Sequence, residues 1–358
     1  MAPLIKALRR YENLETVAIS TQQHESLLFE ALGSVGITTD LELAPPDRKS
    51  VQSLVSSIGL GLEIPVSNSD LVVVQGDTIS AYAGALSGLL HKKPVVHLEA
   101  GLRTANLHQP HPEEGLRRAI THLASLHLAP TAHARKNLEN EGVPTNSIVV
   151  TGNTSIDSIK EQLEHLKQKS NPPVQNSKDY CVLTVHRREN WGEGLNRIAR
   201  AVFQLSTEFP HVDFLCPLHP NPVVRKSFDT LPARDNFRIL DPLPHNRFVE
   251  LLARSQLILT DSGGIQEEAT VLGVPVVILR EETERPEVVD AGWGFIAGTD
   301  DNQILKIARS LLQQRLDHVF TGPVESPFGD GHAGVRAAEA INAFSQGEQL
   351  PTDMVHVG

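Results

Sequence analysis

The stretch from Leu257 to Val277, LILTDSGGIQEEATVLGVPVV, restricts the fold more than any other part of the chain. Leu257 to Thr260 is a short apolar run of the kind that forms a buried strand. Asp261-Ser262-Gly263-Gly264 breaks it before a helical segment expected from Ile265. Two adjacent glycines let a ligand approach the backbone, and the first helical turn offers unpaired N–H groups with about half a unit of positive charge. Ser262, Gly263 and Gly264 therefore read as an anion socket. Glu268, four residues past Gly264, falls on the same helix face one turn deeper, where it can meet hydroxyls of the same ligand. Simple closure of a βαβ turn also fits the bare tetrapeptide. Chymotrypsin-like serine proteases carry the same string, but they need an antiparallel barrel, and the flanking pattern here alternates strand with helix.

That alternation runs through the chain. Residues 1–10, MAPLIKALRR, form an amphipathic helix with Leu4, Ile5 and Leu8 on one face. A strand is expected at Thr16–Ser20, a helix over TQQHESLLFEALGSVG and another at Val51–Leu60. Asp70–Gln75 reads as a strand buried on both faces of a parallel sheet. The helix AYAGALSGLL, the strand Pro94–Leu98, the helix EEGLRRAITHLAS and the strand Ile148–Thr151 follow, with Leu116, Ala119, Ile120 and Leu123 on the inner face of EEGLRRAITHLAS. After a linker at Asn171–Ser177 the pattern resumes, with strands at Cys181–Val185, Val212–Cys216, Phe237–Leu240, Leu257–Thr260 and Val274–Leu279. The expected fold class is α/β, with two Rossmann-like doubly wound domains over 1–170 and 178–335. Ligands of such sheets bind beyond the carboxyl ends of the strands.

Composition narrows the function. At 358 residues the chain is long for one core, consistent with two domains. A net charge of −11 argues against a nucleic-acid binder, so any bound anion needs a local cluster of positive groups. No apolar run approaches the roughly 20 residues of a membrane span, and the N-terminus lacks a signal peptide, so the expected location is the cytoplasm. Cys181 and Cys216 lie in strand-like runs and read as reduced core thiols. No metal-ligand spacing and no dinucleotide fingerprint is present, so neither a metal nor a nicotinamide cofactor is expected.

Several polar residues stand at strand ends. Asp77 follows DLVVVQ, Glu99 follows PVVHL and Glu113 opens the next helix. Three carboxylates sharing a cleft would raise one another's pKa toward the range useful for proton transfer. Two of them have plainer roles: Asp77 could cap the helix at Thr78, and Glu113, with Glu114, could pair with Arg117 and Arg118 along their helix. His186-Arg187 after CVLTV and His219 after VDFLC would bring imidazole and guanidinium groups toward a diphosphate in the Ser262–Gly264 socket.

The motifs QGDT (75–78), HLEAGLRT (97–104), PEEGLRR (112–118), TGNTSID (151–157), HRREN (186–190), LTDSGGIQEEA (259–269), TERPE (283–287) and PFGDGHA (327–333) resemble, in order, the UDP-N-acetylglucosamine 2-epimerase family, most closely its non-hydrolysing bacterial type. The resemblance implies a glycosyltransferase-B-like fold with the active site in the interdomain cleft and a C-terminal helix, 336–348, returning to the first domain. It implies catalytic roles for Asp77, Glu99, Glu113 and His186, phosphate binding by Ser262, Gly263 and Gly264, ribose binding by Glu268, and charge near the diphosphate from Arg117 and His219. It implies UDP-N-acetylglucosamine and UDP as ligands, a homodimer and no cofactor. The implied reaction is C2 epimerisation through elimination of UDP and its re-addition to 2-acetamidoglucal. The hydrolysing outcome, which releases N-acetylmannosamine, and a silent UDP-sugar binder remain alternatives. Gln23 and His24 fit an allosteric pocket of the non-hydrolysing type, with Ser26 where a second glutamine is usual, and Arg48 and Arg187 could complete that pocket. Family members open with a strand and a Gly-Thr-Arg-Pro-Glu loop ahead of the first helix seen here, so that strand and its arginine are expected to be missing from this sequence.

Overall fold

Two units divide the chain in the computed structural model: Met1–Ser158 with Phe328–Gly358, and Ile159–Pro327. The structure describes residues 1–23, 36–107, 110–168, 178–218, 221–318, 320, 322 and 325–354. The helix expected after Thr21 and the linker at 171–177 fall outside these residues. The division runs through the helix Thr154–Gln168 and returns at Phe328, earlier than residue 336. The reason is local. Phe328 is fully buried and its carbonyl accepts from Asn153 N–H at 2.8 Å. Asp157 accepts from the Ala333 and Gly334 N–H groups at 3.1 and 2.8 Å, anchoring the last helix, Ala333–Gln346, in the first unit.

In the first unit, β1 (Ile19–Ser20) and β2 (Leu41–Glu42) form a parallel pair. β3 (Val72–Gln75), β4 (Val95–Leu98), β5 (Leu126–Ala129) and β6 (Ile148–Val150) form a parallel sheet in that order. One face packs against the helices Ala2–Leu8 and Ala333–Gln346 through Leu4, Leu8, Ala337 and Ile341. Those two helices meet closely at Gly334, where a Cβ would lie 2.7 Å from the carbonyl carbon of Pro3. Ala81, Ala85 and Ile120 help cover Val74 and Val95.

Three expectations change here. β3 ends the four-stranded sheet, so of its valines only Val74 is fully buried. The helix expected at Val51–Leu60 continues to Ser67 across Gly59, Gly61 and Pro65, because Ile58, Leu62 and Val66 bury one face of it. Packing there outweighs the local cost of glycine and proline. On the helix Glu113–Leu123 the buried face is Glu114, Arg117, Ile120 and Thr121, so the expected Leu116/Ala119 face is only half-buried.

The second unit holds β7 (Tyr180–Thr184), β8 (Asp213–Pro217), β9 (Phe237–Leu240), β10 (Leu257–Thr260), β11 (Val276–Ile278) and β12 (Gly294–Ile296). Their order is β12-β11-β10-β7-β8-β9, all parallel. This is the doubly wound arrangement, and its order reverses between β7 and β10. Helices Glu193–Glu208 and Asp301–Leu316 contribute Ile198, Val202, Ile304 and Leu311 to a core with Leu183, Phe214 and Leu259.

Candidate active site

A ligand of a doubly wound sheet binds where the strand order reverses. In the second unit that point lies between the loops after β7 and β10, which carry His186 and Ser262. Thr184 pairs with Thr260, so both loops leave the sheet at one level. The helix after β10 is Gly263–Leu272 with Ser262 as its N-cap, two residues earlier than the sequence suggests. No side chain caps it, which leaves the first-turn N–H groups available to an anion.

The two glycines differ. A Cβ on Gly263 would lie 2.3 Å from Arg285 Nη1 and 2.8 Å from Glu284 Oε1, whereas a Cβ on Gly264 meets nothing within 4 Å. Gly263 thus accommodates the buried side chains behind the loop, and Gly264 faces open space. Glu268 is half-buried like Gly264, on the same helix edge. Desolvation by its surroundings, with the Glu267 charge beside it, pushes its pKa up to about 8.

Behind the socket runs a buried ionic chain that the sequence reading used only as motif strings. Arg285 Nε donates to Glu267, Arg285 Nη1 to Glu284 at 2.7 Å, Arg280 Nη1 to Glu284 at 2.6 Å and Arg280 Nε to Glu189 at 2.6 Å. It links the helix start to the HRREN and TERPE segments. Arg187 Nη2 lies 3.8 Å from Glu284 Oε1. His219 lies outside the described residues.

In the first unit, Gln75 pairs with Leu98, so Asp77 and Glu99 emerge from the same end of neighbouring strands. Glu99 holds φ +65°, a left-handed conformation that costs a non-glycine residue about 1–2 kcal/mol. Its carboxylate accepts from Asn153 Nδ2 at 3.0 Å and Gln75 Nε2 at 3.3 Å. The helix-cap role considered for Asp77 belongs to Thr78, whose hydroxyl accepts from Ala81 N–H at 3.1 Å. Asp77 instead accepts from Arg117 Nη2.

The pairing considered for Glu113 and Glu114 falls to Glu114 alone. It is fully buried and accepts from Arg117 Nη1 at 2.7 Å and Arg118 Nε at 2.8 Å. Glu113 Oε2 is buried with no hydrogen-bond partner among the described residues. A buried acceptor in that condition is open to a donor from a ligand. Arg117, expected near a diphosphate, is only 2% exposed and points both terminal nitrogens at Asp77 and Glu114. Its charge here serves the acid cluster.

Beneath that cluster, His97 Nε2 lies 2.8 Å from Gly76 O, under the turn that carries Asp77. Burial lowers its pKa to about 4 and that of its sheet neighbour His127 to about 3, so both rings are neutral at pH 7. The only signal for such groups is a histidine inside an apolar strand.

Of the expected second pocket, Gln23 Oε1 accepts from the Ser80 N–H and hydroxyl at 3.0 and 2.6 Å, and Arg48 Nη2 donates to Gln22 O at 2.6 Å. His24 and Ser26 are outside the described residues.

The chain is similar to known proteins along nearly its whole length. The UDP-N-acetylglucosamine 2-epimerase family pattern matches residues 6–342. The UDP-N-acetylglucosamine 2-epimerase of Bacillus subtilis is 38% identical over 347 residues, 95% of this chain and 91% of that protein. The Neisseria meningitidis UDP-GlcNAc 2-epimerase crystal structure, bound to UDP-GlcNAc, superposes with a TM-score of 0.90 at 36% identity over 96% of this chain and 95% of that one. The Methanocaldococcus jannaschii enzyme, in complex with UDP-GlcNAc and UDP, gives a TM-score of 0.84 at 30% identity, covering 95% of each chain. With a glycosyltransferase-B-like α/β fold and a match along nearly its whole length, this chain belongs to the UDP-N-acetylglucosamine 2-epimerase family.

Proposed function

We propose that the protein interconverts UDP-N-acetylglucosamine and UDP-N-acetylmannosamine by eliminating UDP to leave 2-acetamidoglucal and then adding it back. The observation that carries this reading is the set of acids at one end of the first unit's sheet, with Asp77 held by Arg117, Glu99 held in a left-handed turn, and Glu113 offering a buried oxygen. The C2 proton of a sugar nucleotide is not next to a carbonyl, so its direct removal is too costly. Breaking the C1–O bond first sends that electron pair to the diphosphate and leaves an oxocarbenium-like carbon that acidifies C2. A carboxylate then takes the C2 proton and the C1–C2 double bond forms. Return of a proton to the opposite face, with UDP re-adding at C1, inverts C2. Two faces require two acid-base groups, and the cluster supplies them from separate strands.

The second unit takes the nucleotide. Ser262, Gly263 and Gly264 at an uncapped helix start receive the phosphates, Glu268 the ribose hydroxyls, and His186 the developing charge on the leaving diphosphate. We place the enzyme in the cytoplasm as a homodimer that supplies activated mannosamine for surface polysaccharide. Among the described residues no helix is long and apolar enough to cross a membrane.

Proton NMR of UDP-N-acetylglucosamine turnover in D2O tests the reading. Solvent deuterium at C2 together with accumulating UDP-N-acetylmannosamine is expected. Free N-acetylmannosamine with stoichiometric UDP would replace it with the hydrolytic reaction. UDP binding by calorimetry without any deuterium at C2 would reduce the protein to a binder.

A further inference from the structure

Asp261 directly follows β10 as a fully buried carboxylate, and its contacts run to the loop that follows the neighbouring strand β7. Both its oxygens lie 3.1 Å from the backbone nitrogen of His186. Oδ2 also accepts from the Arg187 N–H and from Asn190 Nδ2, each at 3.0 Å, and Oδ1 lies 3.3 Å from Nδ1 of the His186 ring. Asn190 Nδ2 donates as well to Leu279 O at 3.0 Å, tying the same loop to the end of β11.

An ionised carboxylate only accepts hydrogen bonds, in about four lone-pair positions. Three of those positions here face backbone or amide N–H groups, which cannot reverse direction. The ring beside the fourth is stabilised only when Nδ1 carries a proton. Nε2 is then the ring nitrogen away from Asp261, on a side chain that is 41% exposed.

We propose that Asp261 is the positioning residue for His186: it holds one proton permanently on Nδ1, so that the exchangeable proton sits on Nε2 and faces the leaving diphosphate. In elimination the imidazolium Nε2–H donates to the departing diphosphate oxygen as the C1–O electron pair moves onto it, and in re-addition the proton returns to Nε2. This rests on the reading of His186 given above. It adds an acid at the strand-order reversal that sets the orientation and tautomer of that histidine.

Asp261→Asn keeps the side-chain shape but replaces an acceptor with an NH2 donor, removing the preference for a proton on Nδ1. The rate of C2 deuterium exchange should fall on the order of 10²- to 10⁴-fold, the scale seen when a histidine loses its orienting carboxylate, while UDP affinity stays within about threefold. In the unaltered enzyme, 15N-histidine NMR should show that Nε2 is the nitrogen that titrates and that the neutral His186 ring keeps its proton on Nδ1, its signal identified by its loss in His186→Gln. The double variant D261N/H186Q should be no slower than H186Q alone, since the acid works through the ring. A neutral wild-type ring whose single proton sits on Nε2 would overturn the proposal even if D261N fails to fold. Additive losses in the double variant would overturn it too, leaving His186 its role. Full activity of H186Q would instead sink the role of His186 itself, and the aim of Nε2 with it.

Discussion

The two neighbouring glycines of the socket should respond in opposite ways to the same methyl group. In Gly263→Ala the new Cβ would meet Arg285 Nη1 at 2.3 Å and Glu284 Oε1 at 2.8 Å. An arginine tip can usually swing aside, but this one is 7% exposed and pinned between Glu267 and Glu284. Relief requires loss of at least one charge-assisted hydrogen bond, about 1.5–3 kcal/mol, or an overpacked core, about 1–3 kcal/mol. A gain of up to about 1 kcal/mol in helix propensity offsets part of this. The net is about 0.5–3 kcal/mol, which lowers the unfolding temperature of a unit this size by roughly 1–12 °C. In Gly264→Ala the Cβ meets nothing within 4 Å, so the unliganded protein should keep its melting temperature or gain slightly. If the socket takes the phosphates as proposed, the same methyl would stand in their path, so UDP affinity should drop at least about tenfold, or 1.4 kcal/mol. Differential scanning calorimetry without ligand and titration calorimetry with UDP read the two effects separately. A stable Gly263→Ala protein, or a destabilised Gly264→Ala protein that binds UDP normally, would refute this division of labour.

Arg117→Met should lower C2 exchange by at least about tenfold while UDP affinity changes less than about threefold, because Arg117 contacts Asp77 and Glu114; a selective loss of UDP binding would return it to the diphosphate. Glu268 has a folded pKa raised from 4.5 to about 8, so its stability contribution is full below about 4.5 and is lost as pH rises through about 8. Glu268→Gln should therefore gain on the unaltered protein in unliganded melting temperature between pH 5 and 9, and a pH-independent difference would contradict the shift. His97 has a folded pKa depressed from 6.5 to about 4, so its contribution is full above 6.5 and falls with pH toward 4, by about 1.4 kcal/mol per pH unit. His97→Gln should flatten the decline of the urea midpoint between pH 6.5 and 4.5, and an unchanged slope would show that His97 is not the titrating group.

Much of the architecture was legible because burial leaves a pattern in the chain. Leu257–Thr260 and Phe237–Leu240 are strands with the expected limits. Where local preference and packing disagreed, packing decided, as in the helix that carries Pro65 to Ser67. Parallel sheets place ligands at strand ends, and Asp77, Glu99, His186 and Ser262, the candidates that rule picks out, all occupy such positions. Their partners were not found. Arg117 sits one helix away from Asp77, and Arg285 reaches Gly263 from a separate segment, so no spacing along the chain announces either pair.

The sequence alone determined the α/β class, the strand-end placement of the acids and the family, since all three depend on periodicity and motif order along the chain. Tertiary structure decided which charge serves which acid, why one glycine of the socket is needed for packing and the other is open to a ligand, and that Asp261 faces His186. Those outcomes depend on which segments meet across neighbouring strands, where a carboxylate and its partner can be dozens of residues apart and yet within one hydrogen bond of each other.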